Sequence, residues 1–116
     1  MKSFVATSLA IGGAALAMAI MAGPANAASF NCARASLPVE MAICNSPGLG
    51  ELDQEMAQRY FRLTNYAPGW AVRQIKGEQT NWIARRNACG YDNGCVARAY
   101  ERRIDKLRGW QAQFGL

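Results

Sequence analysis

The chain contains no histidine in its 116 residues. This absence excludes Ser-His and Cys-His catalysis, and it excludes any zinc site that uses histidine ligands. The sequence also lacks a glycine-rich phosphate loop, and it has almost no stretch in which apolar and polar residues alternate as they do in a β-strand. What remains is a helical protein without these catalytic motifs, so we expect neither a cofactor nor enzymatic activity.

Residues 1–27 have the pattern of a secretory signal peptide. Lys2 is followed by an uncharged apolar stretch, a Gly-Pro break and an Ala-Asn-Ala tripeptide that ends at Ala27, the small-residue pattern that signal peptidase reads. A retained membrane anchor is the alternative, because the apolar run approaches the ~20 residues that span a bilayer. The break favours cleavage near Ala27, which predicts a periplasmic or secreted mature domain of residues 28–116.

The predicted mature part is basic. It carries twelve basic and eight acidic residues, because cleavage removes only Lys2 among the charged residues, and its net charge is +4. Such a charge favours solubility and attracts anionic partners. Exported proteins rarely meet nucleic acid and no nucleic-acid-binding motif occurs in the sequence, so we do not expect that partner.

All four cysteines, Cys32, Cys44, Cys89 and Cys95, fall in the predicted mature part. An even number of cysteines in a short exported chain predicts two disulfides, for which three pairings are possible and the two local pairs are the simplest. The alternative is a four-cysteine metal site, but the spacing lacks C-x-x-C. In the loop-entropy model each local disulfide stabilises the fold by about 2–3 kcal/mol.

Apolar residues recur every three or four positions and predict four helices. These are expected from about Pro38 to just before Asn45, from about Leu49 to Tyr66, from about Trp70 to Asn87, and from about Gly94 to Leu107. Ser36 is the candidate cap of the first helix. The paired carboxylates Glu51 and Glu55 lie on a face expected to be solvated, which disfavours glycosidase-type catalysis. The sequence therefore predicts a small all-α, four-helix domain.

Two polar residues, Gln79 and Arg86, occupy the apolar stripe of the third predicted helix. One interpretation is that both satisfy buried polar partners, with Arg86 paired to Glu40 or Asp53 and Gln79 bound to a backbone group. The other interpretation is that both line a binding groove together with Trp82. The sequence leaves the choice open.

Aromatic residues are candidates for contact with a partner, since they are enriched in interface hot spots. Tyr91 is our first candidate, because it lies in the turn-rich segment between Cys89 and Cys95. Trp70 and Trp110, next to helix ends, are also expected to be exposed. The Arg-rich outer face of the last helix is expected to be solvated, with an anionic surface as its functional alternative.

The order and spacing of short motifs give a more specific indication. The first half of the mature part contains Phe30-Asn-Cys32-Ala-Arg, Pro38-Val-Glu40-Met-Ala-Ile-Cys44, Leu52-Asp53 and Tyr60. The second half contains Gln79-x-x-Trp82, Arg86, Cys89, Cys95, Tyr100, Arg103-Ile104 and Leu107. Together these motifs resemble the LprI-like N-terminal domain family of lysozyme inhibitors over about residues 30–107.

This resemblance implies an exported bacterial helical domain with Cys32–Cys44 and Cys89–Cys95 as its disulfides. It implies lysozyme inhibition by protein–protein contact, with lysozyme or another envelope protein as partner. The motif residues are expected to determine the fold; they are Glu40, Asp53, Tyr60, Gln79, Trp82, Arg86 and Tyr100. For inhibition, we expect the Cys89–Cys95 loop to enter the sugar cleft with Tyr91 and Asp92 at its tip. The alternative function is an envelope structural or adaptor domain that binds anionic wall or membrane material.

Overall fold

The structure, a computed structural model, describes residues 28–116, and the predicted signal peptide at residues 1–27 lies outside the described residues. The described part contains four α-helices, a single 3-10 turn and no β-strand. In chain order these are the turn Cys32–Arg34, α1 (Pro38–Asn45), α2 (Pro47–Tyr66), α3 (Gly69–Asn87) and α4 (Asn93–Phe114). The prediction of an all-α, four-helix domain is confirmed.

Both disulfides link residues that are close in sequence. Cys32–Cys44 joins the 3-10 turn to the end of α1, with its Cα atoms 5.8 Å apart. Cys89–Cys95 closes the turn between α3 and α4, with its Cα atoms 5.6 Å apart. Both distances lie in the usual range for disulfides. The pairing implied by the family resemblance is therefore confirmed.

Helix α1 begins at Pro38, where the missing N–H costs no helical hydrogen bond. The carboxylate of Glu40 accepts hydrogen bonds from the backbone N–H groups of Ser36 at 2.9 Å and Leu37 at 3.1 Å. Leu37 is the N-cap, so Ser36 contributes its backbone and not the side-chain cap that the sequence suggested. Three apolar residues of α1 then enter the core, namely Val39, Ala42 and Ile43.

Helices α2 and α4 form the most extensive helix–helix contact, and α1 and α3 pack against this pair. All four helices contribute to one hydrophobic core, whose largest fully buried members are Val39, Ile43, Leu63, Ile75, Val96, Tyr100 and Leu107. Burial of each aliphatic side chain in this set contributes about 1.5–3 kcal/mol. The core therefore depends on residues from the whole described chain.

Helix α4 is longer than the sequence analysis predicted, since it continues beyond Leu107 to Phe114. Trp110 follows Leu107 by three residues and extends the apolar stripe of α4 by another turn. Its side chain is only 9% exposed, so the expectation that Trp110 is exposed was wrong. It packs edge-to-face on Trp70 at a centroid distance of 6.1 Å, whereas Trp70 itself is 50% exposed, as expected.

Candidate functional site

Three motif residues, Asp53, Arg86 and Tyr100, form a buried hydrogen-bond network. The Tyr100 hydroxyl donates to Asp53 Oδ1 at 2.7 Å and accepts from Arg86 Nη1 at 3.0 Å. The other carboxylate oxygen of Asp53 accepts from the backbone N–H of Ser29. Arg86 therefore compensates the Asp53 charge through the Tyr100 hydroxyl, and not by the direct ion pair that the sequence suggested.

The opposite charges of Asp53 and Arg86 explain why this network is stable in the core. Asp53 is 1% exposed and Arg86 is 8% exposed, so each charge is tolerated because the other is nearby. Burial, together with the negative charge of Asp53, raises the pKa of Tyr100 far above its ordinary value of 10.0. The Tyr100 hydroxyl consequently keeps its proton and remains a donor to Asp53 at physiological pH.

Trp82 covers the network from α3. Its ring packs edge-to-face against Tyr100 with centroids 5.0 Å apart, and its Nε1 donates to the carbonyl of Ala99 at 2.9 Å. The Arg86 guanidinium carbon lies 5.6 Å from the centroid of the Trp82 ring, which is within the range of a cation–π contact. Trp82 thus fixes α3 against α4 and shields the Arg86 charge.

Gln79 belongs to a second polar cluster, nearer the start of α3 than the first. Its Oε1 accepts from Arg103 Nε at 2.8 Å, so Gln79 binds a side chain and not the backbone group expected from the sequence. Arg103 also donates to Glu78 Oε1 and to the Ile75 carbonyl, both at 3.3 Å. Burial lowers the pKa of Arg103, and the bond to Glu78 opposes this effect. Trp110 Nε1 donates to the same Glu78 oxygen at 3.0 Å.

Arg103 and Glu78 were not expected from the sequence to belong to a buried cluster. A signal was present, because Arg103 follows Tyr100 by three residues and precedes Leu107 by four. Those spacings place Arg103 on the inward stripe of α4. A basic residue at such a position indicates a buried partner, since buried charges are found paired.

Glu40, another motif residue, lies apart from these clusters at the start of α1. Its two hydrogen bonds from backbone N–H groups hold the pKa of Glu40 below its ordinary value of 4.5, and the positive charge of Arg86 acts in the same direction. A carboxyl whose pKa is lower in the folded state stabilises the fold above its unfolded pKa. That stability is lost as the pH falls through the folded pKa.

The difference in stability between the wild type and the Glu40→Gln variant should therefore decrease as the pH falls. We expect the wild type to have the higher Tm at about pH 7 and the two Tm values to converge below about pH 4. Thermal unfolding followed by circular dichroism across this range measures the difference, with Glu101→Gln on the exposed face of α4 as control. A difference that stays constant from about pH 7 to pH 3 would contradict the role of the Glu40 charge.

Five of the seven motif residues line one shallow groove of about 270 Å³; they are Asp53, Tyr60, Gln79, Trp82 and Arg86. Phe61 and Ile83, also in its lining, are 57% and 37% exposed, respectively. The two interpretations of Gln79 and Arg86 are thus compatible, because their side chains have buried partners and also border a groove.

The Cys89–Cys95 loop presents the two residues that the sequence analysis selected for partner contact. Gly90 has a φ of 60°, a left-handed conformation that glycine adopts without strain. Tyr91 is 52% exposed, and its hydroxyl accepts a hydrogen bond from Asn45 Nδ2 at 3.0 Å. Asp92 is exposed and caps α4, because its Oδ1 accepts from the backbone N–H of Cys95 at 3.1 Å. The ring of Tyr91 is consequently held at the surface beside the end of α1.

Comparison with family profiles gives a match to the family described as lysozyme inhibitor LprI, over residues 31–107. The chain belongs to the LprI family. The match includes both disulfides, the Asp53–Tyr100–Arg86 network and the Tyr91 loop, and it ends before Trp110. Comparisons with curated proteins and with solved structures found no significant match.

LprI family membership and the two disulfides indicate an extracellular or periplasmic protein, since disulfides persist in oxidising compartments. Among residues 28–116, no helix combines the length and the apolar character needed to cross a bilayer. The family is described by an inhibitor activity and not by an enzymatic one.

Proposed function

We propose that this LprI-family domain is an exported lysozyme inhibitor, cleaved near Ala27, that acts by protein–protein contact through its Cys89–Cys95 loop. The observation that carries this proposal is the presentation of Tyr91, an aromatic side chain that is 52% exposed on a constrained loop. The loop is constrained by its disulfide, by the hydrogen bond from Asn45 and by the cap that Asp92 places on α4.

A constrained aromatic loop suits the sugar cleft of a glycosidase. Ordering a flexible loop on binding costs free energy, and a loop that is already ordered avoids most of this cost. Tyrosine supplies a large contact area with few rotatable bonds and is frequent among hot-spot residues. On this proposal the ring of Tyr91 occupies the cleft in place of a sugar and is a hot spot of the contact.

Asp92 adds a polar contact beside Tyr91. The catalytic acid of a lysozyme is protonated before it acts, so it donates a hydrogen bond to a carboxylate that comes near. Asp92 is exposed, so its carboxylate can accept such a bond. Because Asp92 also caps α4, its charge is tested with Asp92→Asn, which retains a good N-cap.

Titration of a c-type lysozyme with the oxidised protein tests the proposal, with lysis of bacterial cells as the readout. We expect saturable inhibition that changes little between about 50 and 300 mM salt, because a desolvated aromatic contact is not screened. Attachment to an anionic surface, the activity of an envelope adaptor, weakens steeply over the same range. No inhibition at high micromolar protein would contradict the proposal.

Removal of the loop disulfide should weaken inhibition more than removal of the other disulfide. We expect Cys89→Ser/Cys95→Ser to raise the inhibition constant about tenfold, because Tyr91 then has to be ordered on binding. The matched control is Cys32→Ser/Cys44→Ser, which removes the disulfide beside α1. Both variants are assayed below their melting temperatures, and equal losses of inhibition would exclude a specific role for the Cys89–Cys95 loop.

A further inference from the structure

A second groove lies between α3 and α4, and its lining shares a single residue with the groove of the motif residues. It encloses about 410 Å³ and ends at the Cys89–Cys95 disulfide. Arg85 of α3 forms part of one wall, and Arg102 and Lys106 of α4 form part of the other. Arg103, which is buried, also borders the groove. We call this feature the cationic groove.

The charges that line the cationic groove are unbalanced. Four basic residues line it against a single acidic residue, Glu78. Glu78 Oε1 already accepts hydrogen bonds from Arg103 Nη1 and Trp110 Nε1. Within residues 28–116, the side chains of Arg85, Arg102 and Lys106 form no ion pair with a carboxylate. Three exposed cations therefore border one concavity without anionic partners.

The two walls are close enough for their charges to interact. Burial lowers the pKa of the Arg103 guanidinium on α4, and the positive charge of Arg85 on α3 acts in the same direction. An anion placed between the walls would relieve this repulsion.

We propose that the cationic groove binds a phosphate group of a soluble ligand, held between Arg85 on one wall and Arg102 and Lys106 on the other. A phosphate has oxygens directed to several sides, so both walls can donate to it at once, and each guanidinium can donate two parallel hydrogen bonds. A volume of about 410 Å³ holds more than the phosphate alone, within the range of small-molecule sites. The concave shape favours a soluble ligand over a flat bilayer.

The test uses the purified, oxidised protein and inorganic pyrophosphate, with binding followed by amide chemical shifts at fixed ionic strength. We expect saturable binding whose largest shifts fall at the groove-facing residues of α3 and α4. Arg85→Gln/Arg102→Gln should weaken binding at least tenfold. The matched control, Arg34→Gln/Arg73→Gln, removes the same charge from exposed arginines outside the groove and should change affinity less than twofold.

Three outcomes would overturn the proposal. Equal weakening in both double variants would show a diffuse charge effect without a site. No saturable binding of pyrophosphate would show that the groove does not select phosphate. Binding to phosphatidylglycerol vesicles without binding to pyrophosphate would assign the groove to a membrane surface. Circular dichroism checks that each variant is folded. None of the three outcomes bears on the proposed inhibition of lysozyme through Tyr91.

Discussion

Asp53→Ala should lower the free energy of unfolding by about 3–5 kcal/mol, the cost of leaving a buried charge without its partner. The substitution removes the carboxylate that accepts from the Tyr100 hydroxyl and from the Ser29 N–H. Arg86, which is 8% exposed, then remains in the core without the charge that compensates it. For a domain of this size the change corresponds to a fall in Tm of at least about 12 °C in thermal unfolding.

Two controls separate the network from a general effect of charge. Glu51→Ala removes an exposed carboxylate from the same helix and should change stability by less than about 0.5 kcal/mol. Arg86→Met added to Asp53→Ala should recover part of the loss, because the unpaired buried charge is then removed. A loss below about 1 kcal/mol for Asp53→Ala would show that the network contributes little to the fold.

Tyr91→Ala should raise the inhibition constant for lysozyme about 30-fold, which corresponds to the ~2 kcal/mol of a typical hot spot. The Tm should change by only a few degrees, because Tyr91 is 52% exposed and packs outside the core. Tyr91→Phe removes only the hydroxyl that accepts from Asn45, and it should retain most of the inhibition.

Tyr66→Ala is the matched control for the loss of a tyrosine ring. Tyr66 is 68% exposed and precedes α3, whereas Tyr91 follows it. The 19 residues of α3 span about 28 Å, so the two rings lie at opposite ends of that helix. Unchanged inhibition by Tyr91→Ala would show that lysozyme is not bound through the Cys89–Cys95 loop. An equal loss of inhibition in Tyr66→Ala would show the same.

Local signals in the sequence were enough to predict most helix boundaries. The turn sequences around Pro47 and Pro68 divide the helices, and the predicted limits of α3 differ from those observed by one residue. The end of α4 was missed because Gly109 disfavours a helix by about 1 kcal/mol. Trp110 and Phe114 continue the apolar stripe of α4, and their contacts with Trp70 outweigh that preference, but those contacts depend on how α3 packs against α4.

The candidate site was predictable only in part, for a similar reason. The positions of Gln79 and Arg86 on an apolar stripe indicated a special environment, and both residues are buried. Their partners depend on how α2, α3 and α4 pack, since Asp53 and Tyr100 are 47 residues apart in the chain. The cationic groove likewise combines residues of α3 and α4 that no sequence pattern brings together.

The most direct test of lysozyme inhibition through the Tyr91 loop is a competition measurement. The dissociation constant of the oxidised protein for a c-type lysozyme is measured by calorimetry, with and without a saturating trimer of N-acetylglucosamine in the sugar cleft. If the Cys89–Cys95 loop occupies that cleft, the apparent dissociation constant rises in proportion to the trimer concentration. If the dissociation constant does not change, the protein and the trimer bind lysozyme at the same time. That result would contradict occupation of the sugar cleft by the Cys89–Cys95 loop.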